Sequence, residues 1–171
     1  MLSKSDLLEL IRGKGLEFQI HEHKPLFTVE DSEKMRGLIS GSHTKNLFLK
    51  NKKDDFYLFS CDERAKVDLK RFSKSINAKN LSFANEVYLL EYLGIKPGSV
   101  SPFSLLNDVN NRVSFYFDEK LANSKIINFH PLVNTSTVSL KTKDFMKFIL
   151  ENKKKINIFS LETYSITETH E

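Results

Sequence analysis

The sequence predicts an α+β domain in which a mixed β-sheet carries helices packed around it. Three observations lead there. Apolar residues recur at helical spacing in some stretches and alternate in others, so both kinds of element are present. The two kinds interleave without a regular βαβ period, and one strand pair is joined by a short polar turn. The 171 residues, 40% hydrophobic and 28% charged, suit one globular core rather than two.

The elements follow in order. Ser3 or Ser5 caps a first helix whose Leu7, Leu8, Leu10 and Ile11 share a face, and Gly13 and Gly15 end it. Phe18 and Ile20, alternating with Gln19 and His21, read as a short strand that Pro25 closes. Thr28 and Asp31 have capping-box spacing and open a short helix that Gly37 and Gly41 bracket. Asn46–Lys50 and Phe56–Ser60 form a hairpin across five polar residues, 51–55. Leu69, Phe72 and Ile76 give a helix over Asp68–Ile76, and Val87–Leu93 gives another that stops at Gly94, before the Pro97-Gly98 turn. Val113–Phe117, Ile126–Phe129 and Val133–Leu140 read as strands. A last helix opens at Thr142 or Lys143, and Ile156–Phe159 is a last strand. The domain is expected to span residues 1–160, with the polar stretch 161–171 a flexible tail.

Composition narrows the class. A single cysteine, Cys61, cannot form an internal disulfide, and it follows an apolar strand, where a buried small hydrophobe is expected rather than a nucleophile. The opening residues lack an apolar signal core and no apolar run approaches membrane-spanning length, so a cytoplasmic location is expected. The net charge of +4 is weak evidence for nucleic acid on its own. His21, His23 and His43 have no cysteine near them and no metal-site spacing, so no metal is expected.

Four stretches carry chemistry. Leu26-Phe27-Thr28-Val29-Glu30 leads an apolar pair into a capped helix. In His43-Thr44-Lys45-Asn46-Leu47-Phe48-Leu49-Lys50, strand alternation puts Lys45 on the face of Leu47 and Leu49, and Lys50 on the other. An ammonium at Lys45 either snorkels to solvent or meets an anion in a cleft. Gly98-Ser99-Val100-Ser101-Pro102 is a loop whose glycine and proline set a backbone path able to present N–H and C=O groups. In Phe129-His130-Pro131-Leu132-Val133-Asn134-Thr135 a His-Pro breaks one strand before Asn-Thr starts the next.

Together these stretches, with Val67-Asp68-Leu69-Lys70, Leu81-Ser82-Phe83-Ala84 and the continuation to Asn107-Asp108, resemble the YbaK-like trans-editing proteins. Within them the chain is similar to the free-standing proline-tRNA editing branch, the alanyl-tRNA(Pro) deacylases. Six segments in register, from about residue 20 to residue 140, carry the likeness.

The resemblance implies an α+β editing domain with one cleft, which hydrolyses the ester of mischarged alanyl-tRNA(Pro) without metal, cofactor or covalent nucleophile. Its partner is the acceptor end of proline tRNA, with prolyl-tRNA synthetase or an elongation factor as transient company. Lys45 would anchor the 3′ end of the tRNA, and Gly98 and His130 complete the catalytic set. Phe27, Thr28, Ser101, Pro102, Asn134 and Thr135 would line the substrate site. Asn46 and Lys50 lie where an acceptor-stem phosphate is expected. The helix over residues 30–36 would be a lid. Two segments depart from the family pattern: Leu38 and Ser40 replace an acidic residue and a proline, and Asn80, beside Lys79, stands where a basic residue is expected. Two other readings remain open at this point: a deacylase of another small aminoacyl group, such as cysteinyl-tRNA(Pro), and a non-catalytic tRNA-binding regulatory module.

Overall fold

The computed structural model describes the backbone of residues 1–171 and every side chain except those of Val29, Met35 and Arg36. Nine strands form one mixed sheet: β1 (Phe18–Glu22), β2 (Ser42–Lys50), β3 (Phe56–Asp62), β4 (Ser82–Phe83), β5 (Val113–Asp118), β6 (Ile126–Phe129), β7 (Ser136–Lys141), β8 (Ile156–Ser160) and β9 (Ser165–His170). Their order is β1-β7-β6-β2-β3-β5-β8-β9, with β4 paired to β2. The predicted hairpin is β2–β3, antiparallel from Thr44–Asp62 to Lys50–Phe56. β3–β5 and β5–β8 run parallel, joined by crossovers.

Side-chain alternation divides the core in two. On one face, α1 (Lys4–Gly13), a π-helical turn (Leu89–Leu93), a 3-10 turn (Pro102–Asn107) and α6 (Thr142–Glu151) cover the larger apolar cluster, which includes Phe48, Phe56, Phe103, Phe115, Phe129 and Phe145. On the other face, α3 (Leu69–Ser75) lays Phe72 against Leu49, Phe59, Cys61, Tyr116 and Phe159. Phe72 and Phe159 meet edge to face with centroids 4.9 Å apart, a geometry the ring quadrupole favours, while Phe59 stacks on Phe72 at 4.7 Å. Cys61 is fully buried, and burial pushes its thiol up to about 12, so it is held as a hydrophobe.

Caps set the helix starts. Ser3 and Asp6 exchange capping-box bonds at α1, and the Asp68 carboxylate accepts from the N–H groups of Lys70 and Arg71 at α3. Three expectations change. The helix expected over Val87–Leu93 is only a short α4 (Glu86–Tyr88) before the chain widens into the π turn, which Gly94 closes at φ 63°. The strand expected from Val133 begins at Ser136, because Leu132 takes a left-handed φ of 68° and the chain turns there. The segment expected as a loose tail forms β9, antiparallel to β8. Its polar composition misled: an edge strand has one neighbour and needs few apolar residues. Tyr164 just before it anchors the segment edge to face on Phe159, at 5.9 Å. Among the described residues no helix is long and apolar enough to cross a membrane.

Candidate active site

The sheet opens at β2. This strand pairs with β6 only through Ser42–Ile127 and His43–Asn128, then leaves it and continues beside β3. The widening gap holds a small cleft of about 60 Å3. Thr44 and Asn46 of β2, His130 at the end of β6, and Leu26 and Thr137 are among its walls. The fork is tied locally: the Thr44 hydroxyl donates to the Asn128 carbonyl at 2.9 Å, and the Asn128 amide donates to Ser40 and Ser42 carbonyls at 3.0 and 3.2 Å. Gly41, at φ 100°, makes the approach possible; a Cβ there would lie 2.7 Å from Ile126.

His130 is the best-defined polar group of the cleft. Its Nδ1 lies 2.8 Å from the Ser136 carbonyl, which can only accept, so Nδ1 carries the proton and donates. Burial lowers its pKa, the Ser136 carbonyl raises it, and His23 nearby lowers it further; the net direction is down. The ring is therefore neutral near pH 7, with Nε2 as a bare acceptor. The His23 ring stands 6.1 Å away, its own Nδ1 bound to the Lys24 carbonyl and its Nε2 2.8 Å from the Thr137 hydroxyl.

The expected residues fall into three places. Asn46 and His130 share the cleft. Lys45 lies on the other face of β2, opposite Cys61, and its ammonium donates to the Ala65 carbonyl. Gly98 and Asn134 meet outside the cleft lining, where a Cβ on Gly98 would touch the Asn134 amide at 3.4 Å. Gly98 is exposed at φ 85°, whereas Ser101 and Pro102 are buried. The Ser101 hydroxyl has no partner among the described residues. Thr135 is exposed, and its carbonyl accepts from the His23 N–H at 2.9 Å.

Phe27 stands 78% exposed beside cleft residue Leu26, at the start of α2 (Val29–Arg36). Thr28 and Asp31 complete the predicted capping box at 3.1 and 3.2 Å. Lys50 lies on the face opposite Lys45, as alternation requires, but its ammonium is paired with Asp54 and sits 4.7 Å from the Tyr88 ring. The sequence reading missed Asn128, weighed His23 only as a metal ligand and gave Thr137 no role. Nothing local marks them, since strand pairing brings them to the fork from three separate segments.

Comparison with known proteins gives the family of the chain. The chain matches the family model of the aminoacyl-tRNA editing domain over residues 23–148. It is 36% identical over 153 residues to the prolyl-tRNA editing protein ProX of Acetoanaerobium sticklandii, covering 89% of this chain and 93% of that one. It is 31% identical over 161 residues to prolyl-tRNA synthetase associated domain-containing protein 1 of Danio rerio, covering 93% and 88%. A solved structure described as a candidate trans-editing enzyme for prolyl tRNA synthetase shares the fold, with a TM-score of 0.67 over 91% of this chain and 96% of that one, at 18% identity.

Proposed function

Because the chain belongs to the aminoacyl-tRNA editing domain family, we propose that it is a deacylase that hydrolyses alanyl-tRNA(Pro). The observation that carries this reading is the cleft at the fork of the sheet: its volume of about 60 Å3 suits a small aminoacyl group, and a neutral His130 and Asn46 line it.

An aminoacyl ester is already activated, so positioning a water and holding the carbonyl can suffice. In this reading Lys45 leaves the Ala65 carbonyl to meet the phosphate of the terminal adenosine. The Gly98 backbone, beside Asn134, meets the oxyanion as water adds to the ester carbon. A ribose hydroxyl of the terminal adenosine aids the water, and the ester oxygen leaves with a proton as the ribose alcohol. His130 Nε2 accepts from the α-ammonium of the alanyl group, a role that needs the ring uncharged. Phe27 offers an exposed ring to the adenine and Thr28 fixes the helix start behind it. Ser101, Pro102 and Thr135 shape the loops on either side, and prolyl-tRNA synthetase is the natural source of the mischarged substrate.

Size explains why a separate site is needed. One methylene contributes about 1–3 kcal/mol of discrimination, too little for a synthetase pocket built for proline to refuse alanine. A cleft that admits alanine and is too small for proline solves this by exclusion. Incubation with alanyl-, cysteinyl- and prolyl-tRNA(Pro) tests the reading. Alanyl-tRNA(Pro) should be consumed and prolyl-tRNA(Pro) largely spared. Equal rates on both overturn the reading, no consumption of any ester returns the chain to a binding module, and preferred loss of the cysteinyl ester reassigns the substrate.

A further inference from the structure

A second surface has no part in the chemistry above. It is a groove of about 820 Å3 along α3 and the turn that follows, against about 60 Å3 for the cleft. Lys70, Arg71 and Lys74 are exposed on α3, with Lys74 four residues after Lys70 and three after Arg71, the spacings that make helix residues neighbours, while Phe72 points into the core. Lys79 faces them from beyond the turn, and Leu69 and Leu81 give the groove an apolar floor. Among the described residues no carboxylate lines it. The nearest acid in sequence, Asp68, is committed to capping the helix.

These cations are also unspent. Lys4, Lys14, Lys50, Lys141, Lys147 and Lys155 each have a carboxylate partner. Among the described residues Lys70, Lys74 and Lys79 have none, and Arg71 stacks on the Tyr164 ring at 4.0 Å. Four like charges without counter-charges repel one another and gain when a polyanion neutralises them. The groove also adjoins the strand that bears the site. Lys45 is tied to Ala65, four residues before its first lining residue, and Ser82, next after its last, pairs with Lys50.

We propose that this groove seats the RNA duplex of the acceptor stem, with Lys70, Arg71, Lys74 and Lys79 taking its phosphates. The proposal rests on the deacylase reading for the identity of the RNA. A-form duplexes are gripped mainly by shape and phosphate contacts, and each neutralised phosphate adds to the salt dependence of binding. Lys50, already neutralised by Asp54, adds little.

The test is a variant carrying Lys70→Ala, Lys74→Ala and Lys79→Ala, with Arg71 kept for its stacking on Tyr164. Fluorescence anisotropy across a salt series measures binding of uncharged proline tRNA, and hydrolysis of alanyl-adenosine measures the chemistry alone. The logarithmic salt slope should fall by about two to three, at roughly 0.7–0.9 per phosphate contact, while alanyl-adenosine turnover stays at the parent rate. Lys74→Gln alone should lower the slope by about one, should the triple variant melt early. An unchanged slope overturns the proposal and leaves the groove to an acidic protein surface. Equal losses on tRNA binding and on alanyl-adenosine also overturn it, since the change is then structural. If the parent fails to cleave alanyl-adenosine the deacylase reading falls, yet the tRNA slope still decides the groove.

Discussion

Two residues at the fork lend themselves to single substitutions. Lys45 gives up one hydrogen bond to Ala65 when truncated, which costs about 0.5–1.5 kcal/mol of stability. Loss of its proposed charged contact to phosphate would cost about 1.5–3 kcal/mol, so Lys45→Ala should deacylate roughly 10- to 100-fold more slowly while its melting curve stays close to the parent's. Near-parental deacylation by the folded variant would remove Lys45 from the site. His130 gives a pH signature instead. Burial holds its folded pKa below the ordinary value of 6.5, so in the window beneath pH 6.5 the unfolded chain binds a proton that the folded chain refuses. Stability is therefore full above that window and declines as pH falls through the folded pKa. His130→Asn keeps a donor for the Ser136 carbonyl and removes the titration. Thermal melts from pH 7.5 to 5 should show a shallower acid decline in the variant, and parallel curves would contradict the assigned environment.

At the scale of elements, the loop around Gly98 makes the clearest demand on its residues. Gly98 sits at φ 85°, where a side chain costs about 1–2 kcal/mol, and the new methyl would lie in contact with the Asn134 amide at 3.4 Å. Gly98→Ala should lose activity on alanyl-tRNA(Pro) without gaining it on larger aminoacyl groups; faster turnover of a larger ester would misplace the loop. This loop was legible as a motif, and so were the β2–β3 hairpin, the Thr28–Asp31 box and α6, because each is written in residues close together in the chain. Other features were not. Gly98 and Asn134 meet across 36 positions (134 − 98), and nothing within either segment announces the other. The π turn at Leu89–Leu93 keeps helical apolar spacing while changing its hydrogen bonds, so its pattern reads as an ordinary helix. Lys45 was readable as a lysine on an apolar face, but its partner, the Ala65 carbonyl, is a backbone atom that carries no sequence signal.

For the whole molecule, sheet order was the least readable property. β3, β5 and β8 lie side by side in parallel, yet helices and other strands intervene between them in the chain, and pairing over such separations leaves no local trace. β9 escaped for the opposite reason, since a polar edge strand looks like the absence of structure. The union of β2 with β6 has a consequence of its own. Seven residue pairs join β2 to β3 and four join β6 to β7, but only two join β2 to β6. The molecule is thus a book whose spine is stitched at one end, and the cleft is the gutter between its pages. A slight change of angle between the pages widens or narrows that gutter while every other strand pairing stays intact. Under the proposed function, selection among amino acids by size would then depend less on the atoms lining the gutter than on how firmly these few stitches hold the binding shut.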